Sequence, residues 1–324
     1  MSLTGKISSI TALIFLLWIP HQTNAREKIF KIGILSESPS PTLDGFYEGL
    51  RDHRLIEGKN VVYIRRFTGP DVQIARQLAH ELVAENVDVI FARASTFVEP
   101  ARQETSNIPI VFANHNDPVG VGHAQSLAHP GGNITGVSQM ATEVSIKLLQ
   151  LLQEMLPNLK RLAIITNPTT PTHGPVFAAI ETTSRNFGVA ARRYDAKTEA
   201  EIEDAFAHAR KDGQQAVVVL TSPLTLLAAN IVGASAVKYQ LPTACGVPKA
   251  VEAGALLSYG PNLKDLGRHA ADYVFRILIE GEHPADMPIE QPTTFDLTIN
   301  KTSAVQLNLT IPDFLYVQAD RVIQ

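Results

Sequence analysis

Polar side chains able to hold a small solute sit where the apolar runs of this chain end. Ser36-Glu37-Ser38, Ala94-Ser95-Thr96 and Asn114-His115-Asn116-Asp117 do so in the first half. Asn167-Pro168-Thr169-Thr170, Ser222-Pro223, Gly246 and Ser258-Tyr259-Gly260 do so in the second. Hydroxyls, amides and one or two carboxylates of this kind hydrogen-bond a polar molecule without driving a reaction. The same residue types are preferred helix caps and turn formers, so each one alone also has a purely structural reading. Taken together they point to a binding crevice, with Ser36, Ala94, Ser95, Thr96, Asn116, Asp117, Asn167, Thr169, Ser222, Gly246 and Tyr259 as candidate ligand contacts. Asp117 is the candidate for a cationic group such as an ammonium; its alternative is a carboxylate capping a helix that starts at Val119. Arg93 has two readings, a partner for a ligand carboxylate or a solvated charge at a strand end, and the second is the expectation.

Catalytic signatures are missing. The chain has no Gly-rich phosphate loop with Lys-Ser/Thr, no Gly-x-Ser-x-Gly elbow and no His-Glu-x-x-His. His115, Asp117, His123 and His129 lie close in sequence, but their spacing matches no common metal site, so neither a metal nor a cofactor is expected. Whether His115 touches a ligand stays open. Cys245, the only cysteine, could be a nucleophile, yet a lone Cys is usually a small buried hydrophobe. It cannot form an internal disulfide, so stability must come from the cores.

The elements that would position these residues alternate. Ile29 to Leu35 reads as a buried strand, Gly45 to His53 as a helix, Val61 to Phe67 as a strand. A helix from Asp71 to Glu85 puts Ala75, Leu78, Ala79 and Leu82 on one face. Strands at Val87 to Ala92, Ile108 to Ala113 and Ile134 to Ser138 follow, with helices across Val98 to Glu104 and Val119 to Ala128. The rhythm restarts with a helix at Thr142 to Met155, a strand at Leu162 to Thr166 and helices at Val176 to Phe187 and Glu199 to Lys211. Further strands read at Val189 to Tyr194, Ala216 to Thr221, Thr243 to Cys245 and Ala255 to Tyr259, with helices at Leu224 to Tyr239 and Asn262 to Glu280. Continuous apolar strands alternating with helices predict parallel sheets covered on both faces. The fold class is therefore α/β, two doubly wound parallel-sheet lobes joined by a hinge. In such sheets ligands collect at the C-terminal strand ends, where the polar residues fall.

Composition agrees with an exported binder. Apolar residues make up 45% and charged residues 19%, as in folded soluble chains. The net charge of −4 shows no basic excess, which argues against nucleic acid as a partner. Lys6, the apolar run Ile10 to Ile19, Pro20 and Thr23-Asn24-Ala25 follow the order of a secretory signal, so residues 1–25 are expected to be removed. No Cys follows the cut, so a soluble periplasmic protein without a lipid anchor is expected.

Three stretches carry a family resemblance. They are Ile108-Pro-Ile-Val-Phe-Ala, Asp117-Pro-Val-Gly and Leu127-Ala-His-Pro-Gly-Gly-Asn-Ile-Thr-Gly136; Val251-Glu-Ala-Gly-Ala-Leu-Leu-Ser-Tyr-Gly-Pro261; and Gln291-Pro-Thr-Thr-Phe-Asp-Leu with Asn300 and Leu309-Thr-Ile-Pro312. With Glu57-Gly-Lys-Asn-Val61 they resemble the periplasmic substrate-binding component of an ABC transporter family that includes tryptophan-type amino-acid binders. The resemblance implies a type I periplasmic-binding fold, three chain crossings between lobes and capture by hinge closure. The expected partners are a small-molecule ligand and the membrane permease and ATPase of an ABC transporter, with the chain itself expected to be a monomer. The expected lobes are 26–137 plus 258–285 and 138–257 plus 286–324. Two departures bear on the ligand: Ala94-Ser95-Thr96 replaces the family's Gly-Thr-Pro, and Cys245-Gly-Val-Pro-Lys249 lacks an aromatic residue common there. A periplasmic sensor of the same fold and, less favoured, a periplasmic enzyme are the alternatives.

Overall fold

A computed structural model describes residues 28–69 and 71–324; the expected signal segment, 1–25, lies outside the described residues. No helix among those described is long and apolar enough to cross a membrane.

The first lobe runs β1 (Phe30–Ser36), α1 (Pro41–Asp52), β2 (Val61–Phe67), α2 (Ala75–Ala84), β3 (Val89–Ala92), α3 (Ser95–Glu104), β4 (Ile110–His115) and β5 (Ile134–Ser138). The second takes α4 (Ala141–Met155), β6 (Arg161–Thr166), α5 (His173–Asn186), β7 (Ala190–Asp195), α6 (Glu199–Lys211) and β8 (Ala216–Val219). It continues through α7 (Pro223–Leu227), α8 (Ala229–Lys238), β9 (Thr243–Cys245), α9 (Pro248–Glu252) and β10 (Leu257–Pro261). The helix α10 (Leu263–Phe275) returns to the first lobe, and β11 (Phe295–Asn300), α11 (Lys301–Gln306), α12 (Asp313–Gln318) and β12 (Arg321–Ile323) close the second.

The first sheet has the order β2-β1-β3-β4-β5 and the second β12-β11-β10-β9-β8-β6-β7. All pairs are parallel except β10 with β11. Each sheet is buried on both faces, as its unbroken apolar strands require. Phe46, Phe91, Val111 and Tyr273 pack one face of the first sheet, and Leu82, Phe97 and Phe112 the other. In both sheets the strand order reverses once, between β1 and β3 and between β6 and β8. Crevices of this kind, at the carboxyl ends of the strands, are where α/β sheets bind ligands.

The crossings between lobes fall near 138–141, 261–263 and 290–295. The strand β10 pairs with β9 and β11, so residues 258–261 lie in the second sheet; the expected boundary had given them to the first lobe. The chain from α10 to about residue 290 crosses back, led by α10, to which α1 offers a smooth face. A Cβ on Gly45 would lie 1.9 Å from Lys264 O, and one on Gly267 1.9 Å from Thr42 O. Met287 and Ile289 also belong to first-lobe cores, and Val137 bridges to Glu290.

Two helix expectations need correction, and a third holds with a change in its last turn. Val119 to Ala128 is a series of turns, not a helix: Gly122 adopts φ 73°, and the amides of His123 and Ala124 both bond Pro118 O. The stretch from Leu224 to Tyr239 divides at Ala228, whose ψ of 19° breaks the helical path. The stretch from Asn262 to Glu280 ends in a π-helical turn, Arg276–Glu280, stopped by Gly281 in the left-handed region.

Candidate ligand-binding cleft

The two reversal points face each other across the lobes, and the residues following β1, β3, β6 and β8 meet there. After β1, Glu37 is wholly buried, and after β3 so is Arg93. Arg93 Nε donates to Glu37 Oε2 at 2.7 Å, and Ser36 Oγ donates to the same oxygen at 3.1 Å. Arg93 Nη2 lies 2.6 Å from Glu37 Oε1 as an ion pair without aligned hydrogen-bond geometry. The expectation of a solvated strand-end charge at Arg93 is therefore overturned: the guanidinium is 1% exposed. Burying such a charge is tolerable because Glu37 is buried with it.

Beside this pair begins α3. Its N-cap residue is Ala94, which has no side-chain oxygen, and no side chain caps the helix. The first amides of α3 therefore lack the partners that a Ser or Asp cap would supply, and they present positive potential. Ala94, Ser95 and Thr96 line a narrow cavity with Arg93, Asn114 and Thr170. Thr96 Oγ1, Asn114 Nδ2 and Thr170 Oγ1 are buried there without a hydrogen-bond partner. Asn114 takes φ 61°, a left-handed conformation that Asn tolerates, and its Oδ1 accepts from Thr42 Oγ1.

The second lobe closes the other side. Ser222 and Thr221 line the narrow cavity, and Ser222 caps α7 through a reciprocal capping box with Thr225. A larger cavity of ≈ 470 Å³ adjoins it, lined by Glu37, Arg93, Gly246, Val247, Lys249 and Ser258 among others. Ser258 Oγ is buried and unpartnered too. A third, small cavity between Asn116, Gln139 and His173 shares Gly246 and Gly260 with the larger one. None of the three is lined by a Phe, Tyr or Trp side chain.

The lobes touch through side chains at the cleft. Asn116 Nδ2 donates to Thr172 Oγ1 at 2.6 Å, and Gln139 Nε2 donates to Asn116 Oδ1. His173 accepts from the Asn167 amide at Nδ1 (2.8 Å) and meets Thr221 O at 3.0 Å through Nε2. Burial lowers its pKa to about 4, so the ring is neutral at physiological pH.

Of the sequence candidates, Ala94, Ser95, Thr96, Asn116, Ser222 and Gly246 line these cavities. Others point elsewhere. Asp117 Oδ1 accepts from the Gly120 amide at 2.8 Å, capping a turn outside the three cavities. Tyr259 stacks on Phe295 at 5.5 Å over the sheet, because alternation along β10 sends Ser258 to the cleft instead. Asn167 folds onto Thr169, accepting from its amide and its hydroxyl at 3.0 and 2.8 Å, and the exposed Thr169 leaves the cavity wall to Thr170. Ser36 serves Glu37.

Sequence reasoning did not select Glu37, Asn114, Thr170 or Ser258. Glu37, Thr170 and Ser258 each adjoin a selected residue and Asn114 lies two before Asn116, and strand alternation could have separated Ser258 from Tyr259. His115 Nε2 lies 2.8 Å from His123 Nδ1, and His123 Nε2 lies 3.0 Å from Glu99 Oε2. Burial lowers both histidine pKa values. The described residues contain no cluster of three metal-binding side chains. Burial pushes the Cys245 thiol up to about 12, which removes it as a nucleophile.

Comparison with known proteins bears on this geometry. The sequence model described as "ABC transporter substrate binding protein" matches residues 33–323. A tyrosine-binding protein of Clostridioides difficile is 26% identical over 302 residues, 89% of this chain and 85% of that protein. A conserved domain protein of Vibrio cholerae superposes with TM-score 0.86 at 28% identity, covering 91% of this chain and 100% of that one. An ABC domain from Streptococcus pneumoniae in complex with L-Trp superposes with TM-score 0.84 at 23% identity over the same shares.

Proposed function

The chain belongs to the ABC transporter substrate binding protein family, and from that premise we propose that it captures an amino acid or a closely related small molecule between its lobes for import. The observation that carries this reading is the ring of buried, unpartnered polar atoms around the cleft: Thr96 Oγ1, Asn114 Nδ2, Thr170 Oγ1 and Ser258 Oγ. Leaving such an atom unpaired costs about 1–3 kcal/mol, and four in one crevice are explained by a solute that pairs them. Asn114 Nδ2, Thr96 Oγ1, the uncapped start of α3 and Arg93 are donors grouped on one side, which suits a carboxylate. Pro39, Leu226, Leu227 and Val247 wall the larger cavity and suit an apolar side chain.

Binding without catalysis fits this chemistry. The cleft offers no nucleophile–base pair, and its one imidazole, His173, is held between Asn167 and Thr221. The order of charged, apolar and small residues at 1–25 supports export to the periplasm. The protein would work there as a monomer, passing its solute to a membrane permease driven by an ATPase. Thermal-shift screening of the proteinogenic amino acids, followed by calorimetry on each hit, tests the reading. A specific amino-acid hit with compaction in solution scattering supports it. Binding of no amino acid overturns it.

A further inference from the structure

We propose that Glu37 receives the ammonium group of the captured amino acid, with Arg93 as the residue that positions it. The inference rests on the functional reading above and assigns the cation end of that same cleft. Asp117, the sequence's candidate for this task, is spent on the Gly120 amide and lines none of the cavities. Glu37 is the carboxylate that is both wholly buried and part of the cavity wall. Its Oε2 is engaged by Arg93 Nε and Ser36 Oγ. Its Oε1 is held by Arg93 Nη2 at 2.6 Å as an ion pair, and a carboxylate oxygen can accept two hydrogen bonds, which leaves capacity for an ammonium.

The other carboxylate at the cavity, Asp296, is only half-buried; Asn262 Nδ2 already donates to it at 2.9 Å, and burial raises its pKa and so disfavours its charged form. The buried Arg93–Glu37 pair is neutral as a unit, so a zwitterion enters without adding net charge to the crevice. Its carboxylate faces the α3 start and Arg93 Nη2, and its ammonium faces Oε1. Arg93 fixes the direction of the Glu37 carboxylate from behind by the Nε contact. A lone ammonium or a lone carboxylate would leave one half of this arrangement unanswered.

The test compares each proteinogenic L-amino acid that binds the wild-type chain with the carboxylic acid of the same side chain lacking the amino group. Calorimetry is run on the wild type, Glu37→Gln and the double variant Glu37→Gln/Arg93→Met, each checked for folding by its circular dichroism melt. The double variant removes the guanidinium that Glu37→Gln would strand. The wild type is expected to prefer the amino acid by about 10- to 100-fold, the range of a charge-assisted hydrogen bond. In the folded variants that preference shrinks to within about 3-fold while the amine-free acid still binds. A wild type that binds both compounds equally, or a folded variant that keeps the full preference, overturns the assignment and leaves the amino-acid reading standing. Binding of no amino acid to the wild type overturns both.

Discussion

Asn116 at the end of β4 and Thr172 at the start of α5 join the two lobes by a side-chain hydrogen bond of 2.6 Å. Both residues are buried, so if the lobes part on ligand release, as the proposed capture requires, this bond is lost with them. Replacing Thr172 by the isosteric Val removes the acceptor and leaves Asn116 Nδ2 unpaired in the closed form alone. Affinity is expected to fall about 5- to 10-fold, the worth of one neutral hydrogen bond. Calorimetry measures this, and an unchanged dissociation constant would show that the bond does not bias closure.

Thr96→Val separates stability from binding. Its hydroxyl has no partner in the structure, so its removal leaves the melting temperature of the ligand-free protein unchanged or slightly raised. Affinity for the solute should drop by about tenfold if the hydroxyl is among the groups that pair with it. Equal losses of stability and affinity would mean that Thr96 is simply part of the core.

The Arg93–Glu37 pair should behave as a unit in stability. Arg93→Met strands a buried carboxylate and is expected to cost about 3–5 kcal/mol in chemical denaturation. Adding Glu37→Gln should recover most of that loss, since a neutral amide in the same place no longer needs a counter-charge. Additive losses in the double variant would refute the coupling.

His173 gives a pH dependence with a definite sign. Burial holds its folded pKa at about 4, below the ordinary value near 6.5. The unfolded chain therefore binds more protons between these limits. The stabilisation is complete above about pH 6.5 and is lost as the pH falls through about 4, to a total of about 3 kcal/mol for this group. The melting temperature should decline over that window, and His173→Gln should flatten the decline. An equal slope in that variant would place the effect on other groups, of which His115 and His123 are the nearest in kind.

Asp117→Asn and Tyr259→Phe should leave affinity within about twofold. Asn caps a turn nearly as well as Asp, and Tyr259 keeps its stacking on Phe295 without the hydroxyl. A loss beyond tenfold in either variant would redraw the cleft around that residue.

The sequence by itself determined the alternation of strands and helices, because period-two and period-3.6 apolar patterns are local and each strand reads independently. It also located the crevice edge in outline: parallel strands deliver their C-terminal ends to one side, and polar residues follow those ends. Tertiary structure alone decided which of those residues line a cavity. A Ser, Asn or Asp after a strand looks the same in sequence whether it caps a turn, as Asp117 does, or lines a cavity, as Asn116 does. The Arg93–Glu37 pair joins residues 56 positions apart, and it forms because β1 and β3 are neighbours in the sheet although β2 separates them in the chain. The same holds for β10, whose apolar run suits either sheet until α10, threaded by Gly45 and Gly267 onto α1, carries the chain back across the hinge.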